Sequence, residues 1–147
     1  MSTEEQIKAL AEFLEVSEDE ITESEYYDEN TFSYDGAEYL VLDEEGADAK
    51  AREEIEYDLW TFHADFIIQH CKNYEEMNTS EYQSAVESLK YAQEKCCENA
   101  NGLVKALIDN IDEFVDDAIS IDGRGHFISR YDGEEYEMNG FYIYRVD

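Results

Sequence analysis

The sequence predicts an α+β fold, with central amphipathic helices, an N-terminal β-hairpin and a C-terminal three-stranded antiparallel meander, in a single acidic domain over residues 1–147. Three observations predict it. Apolar residues recur at helical spacing near the start of the chain and again from about residue 45 to 118. Aromatic and β-branched runs occupy 31–42 and 127–146. Asp-Gly and Asn-Gly pairs, the strongest short hairpin signals, fall between those runs at Asp35-Gly36, Asp132-Gly133 and Asn139-Gly140. A length of 147 residues suits one domain, and 43% hydrophobic residues set the chain apart from the disordered class that high net charge alone would suggest.

Each element has its own signal. Thr3 followed by Gln6 has the spacing of a capping box, and Ile7, Leu10, Ala11 and Leu14 form one face, which predicts a first helix to about Val16. Ser17 followed by Glu20 repeats the cap and predicts a short helical turn through Ile21. Thr31–Tyr34 and Ala37–Leu42 then read as a two-stranded hairpin. Ala51, Ile55, Leu59, Phe62, Phe66 and Ile67 make one stripe, predicting a long half-buried helix from about Glu45 to His70 or Cys71. Ser80 caps the next helix, which carries Tyr82, Val86, Leu89 and Cys96 inward and is interrupted at 99–102. Leu103, Leu107, Ile111, Phe114, Val115 and Ala118 predict a further helix. Residues 127–131, 134–138 and 141–146 supply the three strands of the meander.

Charge excludes whole classes of function. The chain holds 39 Asp and Glu against 10 Lys and Arg, a net −29. Such a body is repelled by nucleic acid and by anionic membrane surfaces, so neither is expected as a direct partner. No stretch approaches the ~20 apolar residues of a membrane helix, and the first ten residues lack a signal peptide's pattern, so a cytoplasmic location is expected. Cys71, Cys96 and Cys97 are odd in number and form no CxxC, which favours reduced thiols.

The acid is unevenly spread. Residues 1–60 hold 21 acids and 3 bases, residues 61–100 hold 7 and 3, and residues 101–147 hold 11 and 4. The densest run, from Glu12 to Glu29, has nine acids and no base.

Catalytic and metal motifs are weak throughout. Residues 7–22 resemble the opening of a helix-turn-helix domain, but Glu18, Asp19, Glu20 and Glu23 stand where such a domain offers polar or basic residues to phosphate. Asp122, Gly123 and the residues after them resemble part of an EF-hand loop, yet Arg124 takes one ligand position and Tyr131 stands where the bidentate Glu belongs. A glycine-rich connector is the simpler reading. His63 and His70, seven apart, would share a helix face near Asp65 and Cys71, without the i, i+4 pairing of a zinc helix. Neither cysteine chemistry nor any of the many carboxylate pairs stands out, and no nucleophile elbow, Walker loop or dinucleotide fingerprint occurs. No enzymatic activity, cofactor or metal is expected.

What remains is the acidic surface. Carboxylates three and four apart on a helix stand about 5 to 6 Å from one another, close to the separation of successive phosphates. Glu12, Glu15, Asp19 and Glu23 form such a row if the turn between the first two helical segments is tight, with Glu18 and Glu20 beside it. Asp109, Asp112, Glu113, Asp116 and Asp117 form a second, and Glu44, Glu45, Asp48, Glu53, Glu56 and Asp58 a third. Tyr26, Tyr27, Tyr34 and Tyr39 among the acids are candidate anchors for a contact.

In size, charge, mixed helical and hairpin layout and aromatic content, the chain resembles the small acidic proteins of phages and mobile elements that mimic nucleic acid, of the anti-restriction and anti-CRISPR type. The resemblance implies an inhibitor of a host restriction or CRISPR nuclease. It would bind that partner's basic nucleic-acid-binding surface in the host cytosol, by an attraction that salt weakens. The alternatives are an acidic soluble globular protein without a mimicry role and a chaperone of basic proteins, whose usual sign is a disordered acidic tail. Two copies would lengthen a charge row, so a homodimer is compatible with each reading.

Overall fold

Asp35 and Gly36 both take positive φ, 47° and 80°, the backbone of the two-residue turn whose twist matches paired strands. They join β2 (Thr31–Tyr34) to β3 (Ala37–Leu42) with Thr31 opposite Leu40. The hairpin therefore lies on the residues expected. In the computed structural model, which describes residues 2–147, it forms the middle of a five-stranded antiparallel sheet of order β1-β2-β3-β5-β4. β1 (Thr22–Glu23) adds to one side of the hairpin. β5 (Phe141–Arg145) pairs with β3, and β4 (Tyr136–Met138) closes the other edge through the Asn139-Gly140 turn, whose φ values are 54° and 81°. The α+β class holds, with N-terminal and C-terminal strands sharing one sheet.

The described residues fall into two compact units, one drawn from the chain up to Arg52 together with Asp122–Asp147, the other Glu53–Ile121. In the first, α1 (Thr3–Leu14) packs Leu10 and Ala11 onto Phe32, Tyr39, Val41 and Ile143. Its cap is Ser2, which accepts from the Glu5 N–H at 3.5 Å; Thr3 is already helical. Gln6, expected as the other half of a capping box, is instead buried and donates to Asn30 Oδ1 and to the Val41 carbonyl, both at 2.9 Å. The helix stops at Leu14 because Glu15 turns left-handed, φ 58°, and a 3-10 turn over Glu18–Glu20 follows with the expected Ser17 and Glu20 capping box in place.

The C-terminal meander has two strands, not three. The first expected strand, 127–131, does not form: its first two residues belong to α7 (Arg124–Ile128), which follows Gly123, φ 84°. The stretch expected as a glycine-rich connector is thus a helix start. Gly125 explains the choice: a Cβ there would lie 2.6 Å from the Glu134 carbonyl carbon and 2.7 Å from the Gly133 oxygen, so α7 sits directly against that backbone.

In the second unit, two long helices predicted by periodicity are broken. α2 (Glu44–Tyr57) begins in the first unit and ends here, and the expected continuation to residue 71 becomes a 3-10 turn over Leu59–Thr61 and a short α3 (Ala64–Gln69). Side chains from distant positions hold the break open. Asn101 Oδ1 accepts from the Trp60 N–H at 3.0 Å, and Gln93 Nε2 donates to the Trp60 and Phe62 carbonyls at 2.8 and 2.7 Å. α4 (Thr79–Cys96) is capped by Asn78 with Glu81, two residues before the expected Ser80, and buries Val86 and Leu89 while Cys96 is exposed. α5 (Asn101–Leu107) and α6 (Ile111–Asp122) divide the last predicted helix, because Ile108 is extended and bridges to Cys71 while the Asp109 N–H donates to the His70 carbonyl at 2.9 Å. Phe62, Phe66, Phe114 and His70 pack ring on ring, with centroids 4.9 to 5.8 Å apart.

Two substitutions test these local arguments. Gly125→Ala is expected to cost about 3 kcal/mol, because the methyl group meets backbone that has no room to yield. Cys97 holds φ 51°, ψ −128°, a conformation that favours glycine. Cys97→Gly is therefore expected to stabilise by about 1 kcal/mol, the relief of strain exceeding glycine's entropic cost. Urea midpoints of the two variants check both signs.

Candidate functional site

The acids of the first two rows, with Tyr26 and Tyr27, are exposed: Glu12, Glu15, Glu18, Asp19, Glu20, Glu23, Tyr26 and Tyr27 in the first unit, and Asp109, Asp112, Glu113, Asp116 and Asp117 in the second. The first group does not form one helical row. Glu12 is on α1, Glu15 is its left-handed cap, Glu18, Asp19 and Glu20 make up the 3-10 turn, and Glu23 ends the edge strand β1. The row is bent through four kinds of backbone. Among the described residues Glu15, Glu18, Asp19 and Glu23 make no ion pair. Glu12 accepts from Asn139, and Glu20 is engaged by the Ser17 N–H at 3.0 Å.

The chain between β1 and β2 presents the aromatic part. Tyr26 is 85% exposed and Tyr27 44%, flanked by Glu25, Asp28 and Glu29. Ser24 Oγ accepts from the N–H groups of Tyr26 and Tyr27 at 3.3 and 3.2 Å, and the Tyr27 hydroxyl donates to Asp147 at 3.3 Å. Ser24 went unnoticed in the sequence, although a Ser just before a turn is a readable signal. Asp147 carries no such signal, because its partner lies 120 residues away. Tyr34 and Tyr39 are not anchors. Both belong to the hairpin and pack in the core beneath α1, Tyr39 buried and Tyr34 partly so, because inward-facing strand positions alternate.

In the second unit, Asp112, Glu113, Asp116 and Asp117 share α6, with Asp109 in the turn before it. Asn110 starts that helix by accepting from the Asp112 and Glu113 N–H groups at 3.0 and 3.3 Å. Asp109 and Glu113 also line a cleft of about 400 Å³ with His70, Cys71, Lys72 and Glu75. Asp117 lies 3.1 Å from His70 Nε2. His63 and His70 are not positions within one long helix but the caps at the two ends of the short α3. Among the described residues no three His, Cys, Asp or Glu converge as metal ligands.

The third row is largely compensated. Arg124, its side chain 10% exposed, places Nη1 3.0 Å from Glu44 and 2.9 Å from Asp48, and Nε 2.8 Å from Glu135. Its guanidinium carbon lies 4.5 Å from the centre of the Tyr142 ring. Glu53 and Glu56 also have partners. A hydrogen bond from Tyr142, and then Arg124, hold the Glu44 carboxyl below the usual carboxylate range. Burial, and then its hydrogen bond to Glu135, push the Tyr144 phenol above its ordinary 10.0.

The two shifts give opposite pH edges. Glu44's contribution is present above the ordinary carboxylate range and is lost as pH falls. Tyr144 is favoured neutral by folding, so its contribution is whole below pH 10.0 and is lost as pH rises beyond it. Urea midpoints followed across pH are expected to fall at both ends, and Tyr144→Phe to remove much of the alkaline loss while leaving the acid loss in place. An unchanged alkaline slope in that variant would assign the loss elsewhere.

No family model, curated protein or solved structure matches this chain, so the charge and geometry of its surface carry the functional assignment.

Proposed function

We propose that the protein is an inhibitor that mimics nucleic acid and occupies the basic nucleic-acid-binding surface of a host defence protein, a restriction or CRISPR nuclease. One observation carries the reading: the base-free run from Glu12 to Glu29 is exposed at its acids, and Glu15, Glu18, Asp19 and Glu23 stay unpaired among the described residues. Solubility needs a net charge of only about 2 to 8 in a small domain. A charge of −29 exceeds that and costs stability through self-repulsion. Charge left uncompensated at that cost supports a role in binding.

The acids would steer encounter and set register on a basic groove, and Tyr26 and Tyr27 would supply rigid aromatic contact at low entropic cost. The capped turn and the Ser24 loop reduce the ordering that binding would otherwise demand.

The test is capture of partners from a bacterial lysate at low and high salt, followed by competition of the captured protein's DNA binding. Expected is a nuclease or its complex, released by salt, whose DNA binding this chain displaces. Broad recovery of basic proteins would favour the chaperone, and the absence of any salt-sensitive partner would sink both readings. Replacing Glu15, Asp19 and Glu23 together with Gln or Asn is expected to weaken the captured complex roughly tenfold, at about 0.5 kcal/mol for each rim charge. An unchanged affinity in titration removes this surface from the proposal.

A further inference from the structure

Three thiols are present, and two are adjacent. Cys71 is half-buried, donates to the Ile67 carbonyl at 3.5 Å, and burial pushes its thiol up. Cys96 and Cys97 are both exposed at the end of α4. The Cys97 N–H donates to the Gln93 carbonyl, closing the last turn of that helix, and its thiol contacts the Glu94 carbonyl at 3.7 Å. Gln93 is the residue whose side chain holds the Trp60 and Phe62 carbonyls. Cys97 and Trp60, the sole tryptophan, line the same shallow depression with Phe62 and His63.

We propose that Cys96 and Cys97 form a redox-sensitive device, an adjacent dithiol whose oxidation to an internal disulfide unwinds the end of α4 and alters the surroundings of Trp60. The oxidant class is a small disulfide such as oxidised glutathione. One cysteine thiolate attacks it, forming a mixed disulfide and expelling one glutathione thiolate; the neighbouring thiolate attacks that mixed disulfide and expels the second. The pair loses two protons and two electrons, and one glutathione disulfide takes them up to become two thiols.

Closure is incompatible with the present backbone. Adjacent Cα atoms lie about 3.8 Å apart across a trans peptide, below the roughly 4.4 to 6.8 Å that disulfides favour. Ring formation consumes the thiol hydrogen that faces Glu94 and pulls Cys97 from the position at which its N–H meets Gln93. The Cys97 backbone, already in a conformation that L-residues rarely hold, is where the chain gives way. A disulfide strained in this way is readily reduced, so the change is reversible.

The experiment treats the full chain with oxidised glutathione, removes the excess, and records intact mass, free thiols and Trp60 emission. Expected are loss of two of the three thiols, a mass lower by two hydrogens, a shift in Trp60 emission, and recovery of all three with dithiothreitol. Cys71→Ser is expected to keep the response, and Cys96→Ser and Cys97→Ser each to abolish it. Stable glutathione adducts or disulfides between chains without internal closure would overturn the proposal, as would closure that leaves Trp60 emission unchanged.

Discussion

Self-repulsion is the constraint that the rest of this structure answers. With 39 acids against 10 Lys and Arg, most carboxylates have no cation available, and where the cations go decides which acids are quieted. Arg124 is the clearest case. Its guanidinium joins Glu44 and Asp48 of α2 to Glu135 before β4, and Tyr144 of β5 donates to the same Glu135. One cation thus ties helix, loop and strand within the first unit, where three carboxylates would otherwise repel. A nearly buried cation with its partners removed costs several kcal/mol, so the arrangement specifies as well as stabilises. In the second unit His70 Nε2 lies 3.1 Å from Asp117, with the imidazole packed against Phe66 and Phe114.

The acidic surface is therefore graded. Glu44, Asp48 and Glu135 are matched by Arg124, while Glu15, Glu18, Asp19 and Glu23 are left bare on a frame of caps and short elements. That frame owes little to the charge it carries. Ser17, Ile21 and the left-handed Glu15 place the turn through backbone hydrogen bonds and one buried side chain, so the carboxylates point outward from a fixed support.

What was legible in the sequence follows the range of the interaction that makes each element. Asp35-Gly36 and Asn139-Gly140 dictate their turns through their own φ preferences, and both hairpins lie where those pairs predict. The Ser17 and Glu20 cap is equally local. The break after α2 is not, since it depends on Gln93 and Asn101, more than thirty residues further on, satisfying backbone groups that a continuing helix would have satisfied itself. Apolar periodicity runs straight through that break because Leu59, Ala64 and Ile67 are buried whether the segment is one helix or three short pieces. The strand expected over 127–131 fails for a related reason, as Gly125 allows a helix to approach backbone that any side chain would hold away. For the candidate surface, exposure of the acids of the first two rows was legible from composition, but Tyr34 and Tyr39 were not separable from Tyr26 and Tyr27 until strand alternation assigned them to the core.

Stability and the proposed recognition pull in opposite directions on the first unit. Neutralising an acid already matched by Arg124 removes a favourable contact, whereas neutralising Glu15 or Glu23 removes only repulsion. A chain shaped by stability alone would shed the second kind first, because such surface changes are abundant and gain stability at no structural loss. Their concentration in one base-free run is the opposite pattern. Stability forgone at a defined place on a rigid support is what a binding surface requires, and the same pattern is not required of a coat whose only work is to keep the protein in solution.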